Sequence, residues 1–505
     1  MGALKHNIAA NYFGQGWAAA MGLVFIPLYV RYLGAEAYGI IGLFAVVQSC
    51  LSILDMGMSP TLTREMARHS AGANSPQGIH DLLHSVELVC FSLAILIAGG
   101  MWLASGWLAN GWLRVDKLPT HVVAQAISVM AIVVALRFVE GIYRGSLFGL
   151  QQQVWYNGAS AILATIRHGG AVSIIVWLSP TVKAFFIWQA VVSVATNAVF
   201  AFKVHHALPR PPSPPHFSRE AIVGIWKFAA GMAGVTVLTL LLTQVDKLLL
   251  SRMLSLEHFG YYTLAATVAG ALYMVIGPVT GAVYPRLVEL STKNDEAALA
   301  SIYHQASQLV TVLTAPAALL LGFFSKDVLF VWSGNPSLAR NSGPIVAVLT
   351  LGSFLNGLMW LPYQCQLAHG WTSLTVKMNL VAVAALVPAI LLVVPSQGAT
   401  GAAWIWVILN AGYLLIAIYL MHQRLLRREK WRWYGADVLL PVSGATCVVT
   451  LAQWFQPPNS RDRWNWLFFF VITGTVAMLV SAALAGGLRT KLLSMVKWAA
   501  ATTVK

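Results

Sequence analysis

Apolar runs of membrane-spanning length alternate with short polar connections along the whole chain. The runs are Ile8–Val30, Tyr38–Leu54, Leu83–Leu103, Val122–Tyr143, Gly158–Leu178, Ala184–Phe202, Phe228–Leu250, Phe259–Tyr284, Ala306–Phe324, Pro344–Leu367, Leu374–Val394, Ala402–Leu420, Val438–Phe455 and Trp464–Leu484. A helix needs about 20 apolar residues to cross the hydrocarbon core. The pattern therefore predicts an all-α polytopic membrane protein of about fourteen transmembrane helices. The strands of a membrane β-barrel would instead alternate apolar and polar positions over about ten residues. The first run continues past the apolar core of a signal peptide, about 7–15 residues. It is read as a membrane helix, although Ala18-Ala19-Ala20 offers a cleavage-like site. Trp107, Trp112, Trp332, Trp431 and Trp433 fall in connections, where an indole suits the bilayer interface.

The pattern also repeats. Leu33-Gly34-Ala35-Glu36-Ala37-Tyr38-Gly39 lines up with Leu254-Ser255-Leu256-Glu257-His258-Phe259-Gly260. In the same register Arg31 falls on Arg252, Gly57 on Pro278 and Ser59 on Thr280. Between the copies lies His205–Arg219, HHALPRPPSPPHFSR. Its prolines cannot continue a helix and predict an extended, semi-rigid linker. The expected division is an N-lobe at 1–204, a linker at 205–218, a C-lobe at 219–424, and a basic connection with two further helices at 425–505. Six helices in each lobe make the repeat parallel, related by an axis along the membrane normal.

Composition sharpens this. Only 10% of residues are charged, against about a quarter in soluble domains. The formal net charge of +15 could suggest nucleic acid, but the basic residues are scattered through the short connections and form no single patch. With the N-terminus inside, Lys5, Arg64, Arg68, Arg144 and the cluster Arg424, Arg427, Arg428, Lys430 and Arg432 fall on one side. That side carries about twice the basic residues of the other, which predicts cytoplasmic termini. The four cysteines, Cys50, Cys90, Cys365 and Cys447, lie in apolar runs, with neither metal-binding nor disulfide spacing. No phosphate-binding GxxxxGK[ST] loop is present, which argues against ATP hydrolysis by this chain.

Charge inside a membrane span costs about 2.5–3.5 kcal/mol at the helix centre, so it usually faces a cavity or a partner. Arg167 sits near the middle of its span, with Ser160, Ala164 and Ala171 on its face and His168 beside it. It is either an anion-binding cation in a central cavity or an arginine neutralised by a carboxylate on another helix. His168 is either part of that site or a packed polar residue. Arg137, Glu140 and Arg144 share one face of the fourth helix. They either neutralise one another or form a ladder from the cytoplasmic mouth, near Arg64, toward Arg167. The matching stretch of the second lobe carries Asn356 where the first has Glu140. Asn11 and Gln15 lie one turn apart on the first helix, on a face expected to look at protein or cavity. Asp55, Asp246 and Glu87 could each take up a coupling proton or sodium ion, or serve as structural acids. Lys247 adjoins Asp246 but is expected to point elsewhere on the helix. Pro278, Pro362 and Pro388 mark candidate bends.

The YLGAEAYG turn, LDMGMSPTLTRE, QVDKLLLSRMLSLEHFGYYTLA and Tyr284-Pro285-Arg286-Leu287 resemble the polysaccharide transporter family of O-antigen-type, lipid-linked oligosaccharide flippases. That family lies within the multidrug/oligosaccharidyl-lipid/polysaccharide exporter superfamily. The resemblance covers Asn7 to about Lys430. It implies a non-enzymatic flippase of the bacterial cytoplasmic membrane that moves undecaprenyl-diphosphate-linked repeat units by alternating access. In such a protein Arg137, Arg167 and His168 would meet the diphosphate, and Gln15, Gln244, Asn356, Gln364 and Gln366 would supply polar walls for sugars. Asp55, Glu87, Glu140 and Asp246 are the coupling or gating candidates, and Arg64 and Arg144 mark the cytoplasmic mouth. The expected partners are the lipid-linked substrate, membrane lipids and polysaccharide polymerase machinery. No cofactor is expected beyond H+ or Na+ as coupling ion. The alternatives are a drug or metabolite exporter of the same superfamily, which would call for an acidic wall, and a membrane glycosyltransferase or polymerase, which would call for a large catalytic loop.

Overall fold

The computed structural model describes residues 2–51, 55, 58–70, 72, 75–219, 240–241, 243–457, 462–487 and 489, with side chains from residue 10 onward. Among these residues the regular secondary structure is helical, apart from one isolated bridge between Arg114 and Ser255. Among the described residues, eleven helices are long and apolar enough to cross a membrane. Fourteen spans remain compatible with that number. The segment Ser373–Arg424 holds two of the expected spans, and Ala35–Cys50 is a shorter apolar helix. The expected span Phe228–Leu250 lies mostly outside the described residues.

Two compact units divide the chain, Met1–Thr263 and Leu264–Lys505. The first contains α1 (Gly2–Leu33), α2 (Ala35–Cys50), α3 (Met58–Ser70), α4 (Pro76–Trp107), α5 (Thr120–Gly149), α6 (Gln153–Trp177), α7 (Val182–Ala207) and the helical residues 243–253 (α8). Helix α5 is its axis, packed against α3, α4 and α7, while α6 packs on α1. Its inner face buries Ile127, Met130, Val134 and Ile142. The outer face of α4 leaves Ile95, Leu96 and Leu103 exposed, as suits a helix whose surrounding solvent is hydrocarbon.

The proline-rich segment after α7 is extended, and polar contacts explain its course. His80 Nε2 meets the Pro209 carbonyl at 2.8 Å, Ser213 N–H donates to Gln77, His216 N–H to Asp81 and Ser218 N–H to Ser85. Residues 77, 80, 81 and 85 form one face of α4, so the segment lies along that helix. Backbone groups that proline-rich chain cannot pair with itself are satisfied there.

The second unit contains α9 (Leu256–Gly270), which carries the boundary, α10 (Leu272–Thr292), α11 (Glu296–Phe323), α12 (Ser325–Ser333), α13 (Pro336–Leu358), α14 (Trp360–Ala368), α15 (Ser373–Gly412) and α16 (Ile418–Arg424). The short α17 (Lys430–Arg432), a π-helical turn Trp433–Leu439, α18 (Leu440–Ala452) and α19 (Arg463–Leu484) follow. The last two long helices pack on each other and both pack on α11, a placement the hydrophobic pattern alone did not supply. The break between α13 and α14 falls at Met359, just before Pro362, which has no N–H to continue the ladder. Pro278 and Pro388 sit inside α10 and α15. A second break lies in α15 at Gly398, with φ 59° and ψ −146°, a region essentially closed to other residues. We expect Gly398→Val to destabilise the protein by about 1–3 kcal/mol, read as a lower thermal midpoint in detergent.

Candidate functional site

Three helices of the first unit converge on a charged cluster. Helix α5 presents Arg137 and Glu140 one turn apart, α6 presents Arg167, and α7 presents Gln189, Ser193 and Thr196. Arg167 Nη2 lies 3.7 Å from Glu140 Oε2 and donates to Thr196 Oγ1 at 3.2 Å. Arg137 Nη2 donates to Gln189 Oε1 at 3.3 Å, and its guanidinium lies 5.4 Å from the Phe44 ring centroid on α2. Arg167 is only 9% exposed and Gln189 and Thr196 2%. Two guanidinium groups therefore face one carboxylate in a water-poor place. At 3.7 Å the ion pair is too long to be a hydrogen bond. The Nε atoms of Arg137 and Arg167 and Oε2 of Glu140 are buried without a hydrogen-bond partner among the described residues. Such atoms are costly to leave unmet, and the arginine donors are suited to an oxyanion with several acceptors.

A carboxylate thus stands beside Arg167, and the Nε atoms of Arg137 and Arg167 have no hydrogen-bond partner among the described residues. Glu140 reaches across to α6, while Arg144 is exposed. His168 turns toward α1, where its Nδ1 meets Tyr29 Oη at 3.0 Å and its ring stacks on Phe25. Asn11 accepts from Asn157 Nδ2 at 2.7 Å, whereas Gln15 is exposed. The α7 partners were missed, although Gln189, Ser193 and Thr196 recur at i, i+4 and i+7 in an otherwise apolar run.

The remaining acids have local partners. Asp55 accepts from the Ser59 backbone N–H at 3.2 Å and from Ser59 Oγ at 2.7 Å, which anchors the start of α3. Burial raises the Asp55 carboxyl above its usual range, and the Ser59 bonds and the Arg144 charge oppose that rise. Arg64 Nε lies 4.0 Å from Glu65. Glu87 meets His205 Nε2 at 3.1 Å. Asp246 accepts from Tyr262 Oη at 3.1 Å, and Lys247 Nζ reaches it at 3.3 Å. The expectation that Lys247 points elsewhere is therefore corrected: its long stem folds back along the helix and also donates to the Thr243 carbonyl. In the second unit Asn356 donates to Asn410 Oδ1 at 2.8 Å and accepts from Trp360 Nε1.

A second buried network was not foreseen. His304 on α11 meets Asp437 through Nδ1 and Glu429 Oε2 at 2.9 Å through Nε2. Gln308, one turn on, donates to the other Asp437 oxygen at 2.8 Å. The Asp437 side chain is fully buried. Both ring nitrogens of His304 thus face carboxyl oxygens, one from each side. This network fixes the turn before α18 to α11.

Among the described residues, then, the chain is an assembly of helices of membrane-spanning length with buried cationic donors in its first unit. The family model "Polysaccharide biosynthesis protein" matches residues 4–291. The chain belongs to that polysaccharide biosynthesis family. It is 23% identical over 410 residues to the "Putative O-antigen transporter" of Shigella flexneri, which covers 80% of this chain and 95% of that protein. Its fold is similar to that of the lipid II flippase MurJ in an inward closed conformation, at a TM-score of 0.71 and 13% identity, over 95% of this chain and 98% of that one. It is also similar to an inward-facing multidrug resistance MATE family transporter of the MOP superfamily, at a TM-score of 0.65 and 13% identity, over 80% and 94%.

Proposed function

We infer that this chain flips an undecaprenyl-diphosphate-linked oligosaccharide repeat unit across the bacterial cytoplasmic membrane for polysaccharide synthesis. The observation that carries the reading is the excess of buried guanidinium over carboxylate at Arg137, Arg167 and Glu140, with three unmet polar atoms. A diphosphate is the part of such a lipid that would fill those donors, since each guanidinium can pair two phosphate oxygens. Family membership and the O-antigen relative support the sugar-lipid class. The proposed mechanism is alternating access, with the N-lobe and C-lobe of the repeat rocking about the site and a proton or sodium gradient driving the cycle.

The test is leaflet transfer. Purified protein in liposomes, with a lipid-diphosphate oligosaccharide in one leaflet, is expected to deliver it to the other, faster under a proton or sodium gradient. Absence of transfer, together with gradient-driven movement of a small cation, would replace the reading with a drug exporter. Elongation of the sugar chain would replace it with an enzyme.

A further inference from the structure

The sequence repeat makes Gly39 equivalent to Gly260, Ala35 to Leu256, Glu36 to Glu257 and Gly42 to Thr263. In the folded chain these equivalents touch reciprocally. A Cβ built on Gly39 would lie 2.2 Å from the Leu256 carbonyl oxygen, and one on Gly260 would lie 2.4 Å from the Ala35 carbonyl oxygen. A turn further on, Gly42 abuts its own equivalent, with its Cβ position 2.4 Å from Thr263 Oγ1. Helices α2 and α9 therefore cross about a local pseudo-two-fold, at a separation that only glycine permits.

One element breaks this symmetry. The connection Leu113–Leu118 lies across the crossing. The backbone N–H groups of Asp116, Lys117 and Leu118 donate to the Glu36 carboxylate at 2.7–3.1 Å. On the other copy, the Leu256 N–H donates to the Arg114 carbonyl at 2.8 Å, and Lys117 Nζ reaches Glu257 Oε2 at 2.5 Å. The two equivalent glutamates have diverged in kind. Glu36 is 4% exposed, with both oxygens bonded to backbone. Glu257, 20% exposed, accepts from Tyr261 Oη on its own helix at 2.8 Å, and its one bond to the strap is from a lysine whose side chain is 68% exposed. A buried carboxylate on several backbone donors is held firmly; an exposed ion pair is weak and screened by salt.

We propose that Leu113–Leu118 is a strap over the two copies of the turn, anchored permanently at Glu36 and releasable at the Lys117–Glu257 pair. Release of that pair leaves the second copy held to the strap by the single Leu256–Arg114 backbone bond, so that the copies separate more readily on the membrane face that carries them. This device does not depend on the identity of the cargo, so its test needs no transport.

The test is amide hydrogen exchange on the intact protein in nanodiscs. Glu257→Gln is expected to speed exchange in 113–118 and in 256–263 by about three-fold, the scale of an exposed ion pair. Raising salt should have a similar effect on the wild-type protein and none on Glu257→Gln. The exchanged-charge variant Lys117→Glu with Glu257→Lys should restore protection. Glu36→Gln should speed exchange in 113–118 by roughly ten-fold or more, because backbone donors lose their acceptor. Exchange unchanged by Glu257→Gln and by salt would overturn the releasable end. Equal effects of the two glutamate substitutions would overturn the division into anchor and catch. Should Glu36→Gln unfold the protein, the salt and charge-exchange arms still decide.

Discussion

Arg137→Gln is expected to lower the rate of lipid-diphosphate transfer in liposomes by about 10–100-fold, the scale of a lost hydrogen bond to a charged group. Arg167→Gln should lower it at least as far, and the double variant should abolish transfer. The two single variants differ in what they leave behind. Without Arg137, Gln189 loses a donor. Without Arg167, Glu140 loses the cation it faces across α5 and α6, so the protein should also lose stability. Adding Glu140→Gln to Arg167→Gln should recover the stability without recovering transfer. Glu140→Gln alone acts in the opposite sense. It removes the negative charge that competes with an incoming anion, so binding of a fluorescent lipid diphosphate should tighten by roughly ten-fold, while release and net transfer slow. Transfer unaffected by loss of both arginines would remove the diphosphate cradle from the reading.

The second large effect is expected far along the chain, at His304. Its removal leaves Asp437, fully buried, with Gln308 as its remaining neutral donor, and leaves Glu429 without the imidazole. Leaving a fully buried carboxyl group without its partner costs about 3–5 kcal/mol. His304→Leu should therefore lower the thermal midpoint by roughly 10 °C and speed tryptic cleavage in the connection carrying Arg424, Arg427 and Arg428. Replacing both partners, His304→Leu with Asp437→Leu, should return much of the loss, because an apolar pair of similar volume needs no counter-ion. If the double variant is as unstable as the single one, the network holds more than this pair.

Much of the architecture was legible in the chain. The apolar period alone places α1, α4–α7, α11, α13, α15, α18 and α19 close to their observed positions, because membrane insertion depends on the local length and polarity of each segment. The break at Gly398 falls between two runs already separated by polarity at Ser396 and Gln397. The repeated turn was visible in outline, and Arg137, Glu140 and Arg167 stood out because charge within an apolar run is rare.

What the sequence by itself determined, then, is the class of protein, its helical spans and the short list of polar residues that a membrane tolerates only with partners. The tertiary structure decided who those partners are. It set Glu140 toward Arg167 across α5 and α6, brought Gln189 and Thr196 in from α7, joined Asn356 to Asn410, left Gln15 exposed, and closed His304 between Asp437 and Glu429. The physical reason is one of range. Helix formation and burial in lipid are fixed by neighbours a few residues apart. A cross-helix pair depends on the rotation and register of two packed helices, and residues on different helices, well beyond a helical turn apart in the chain, carry no local signal of each other.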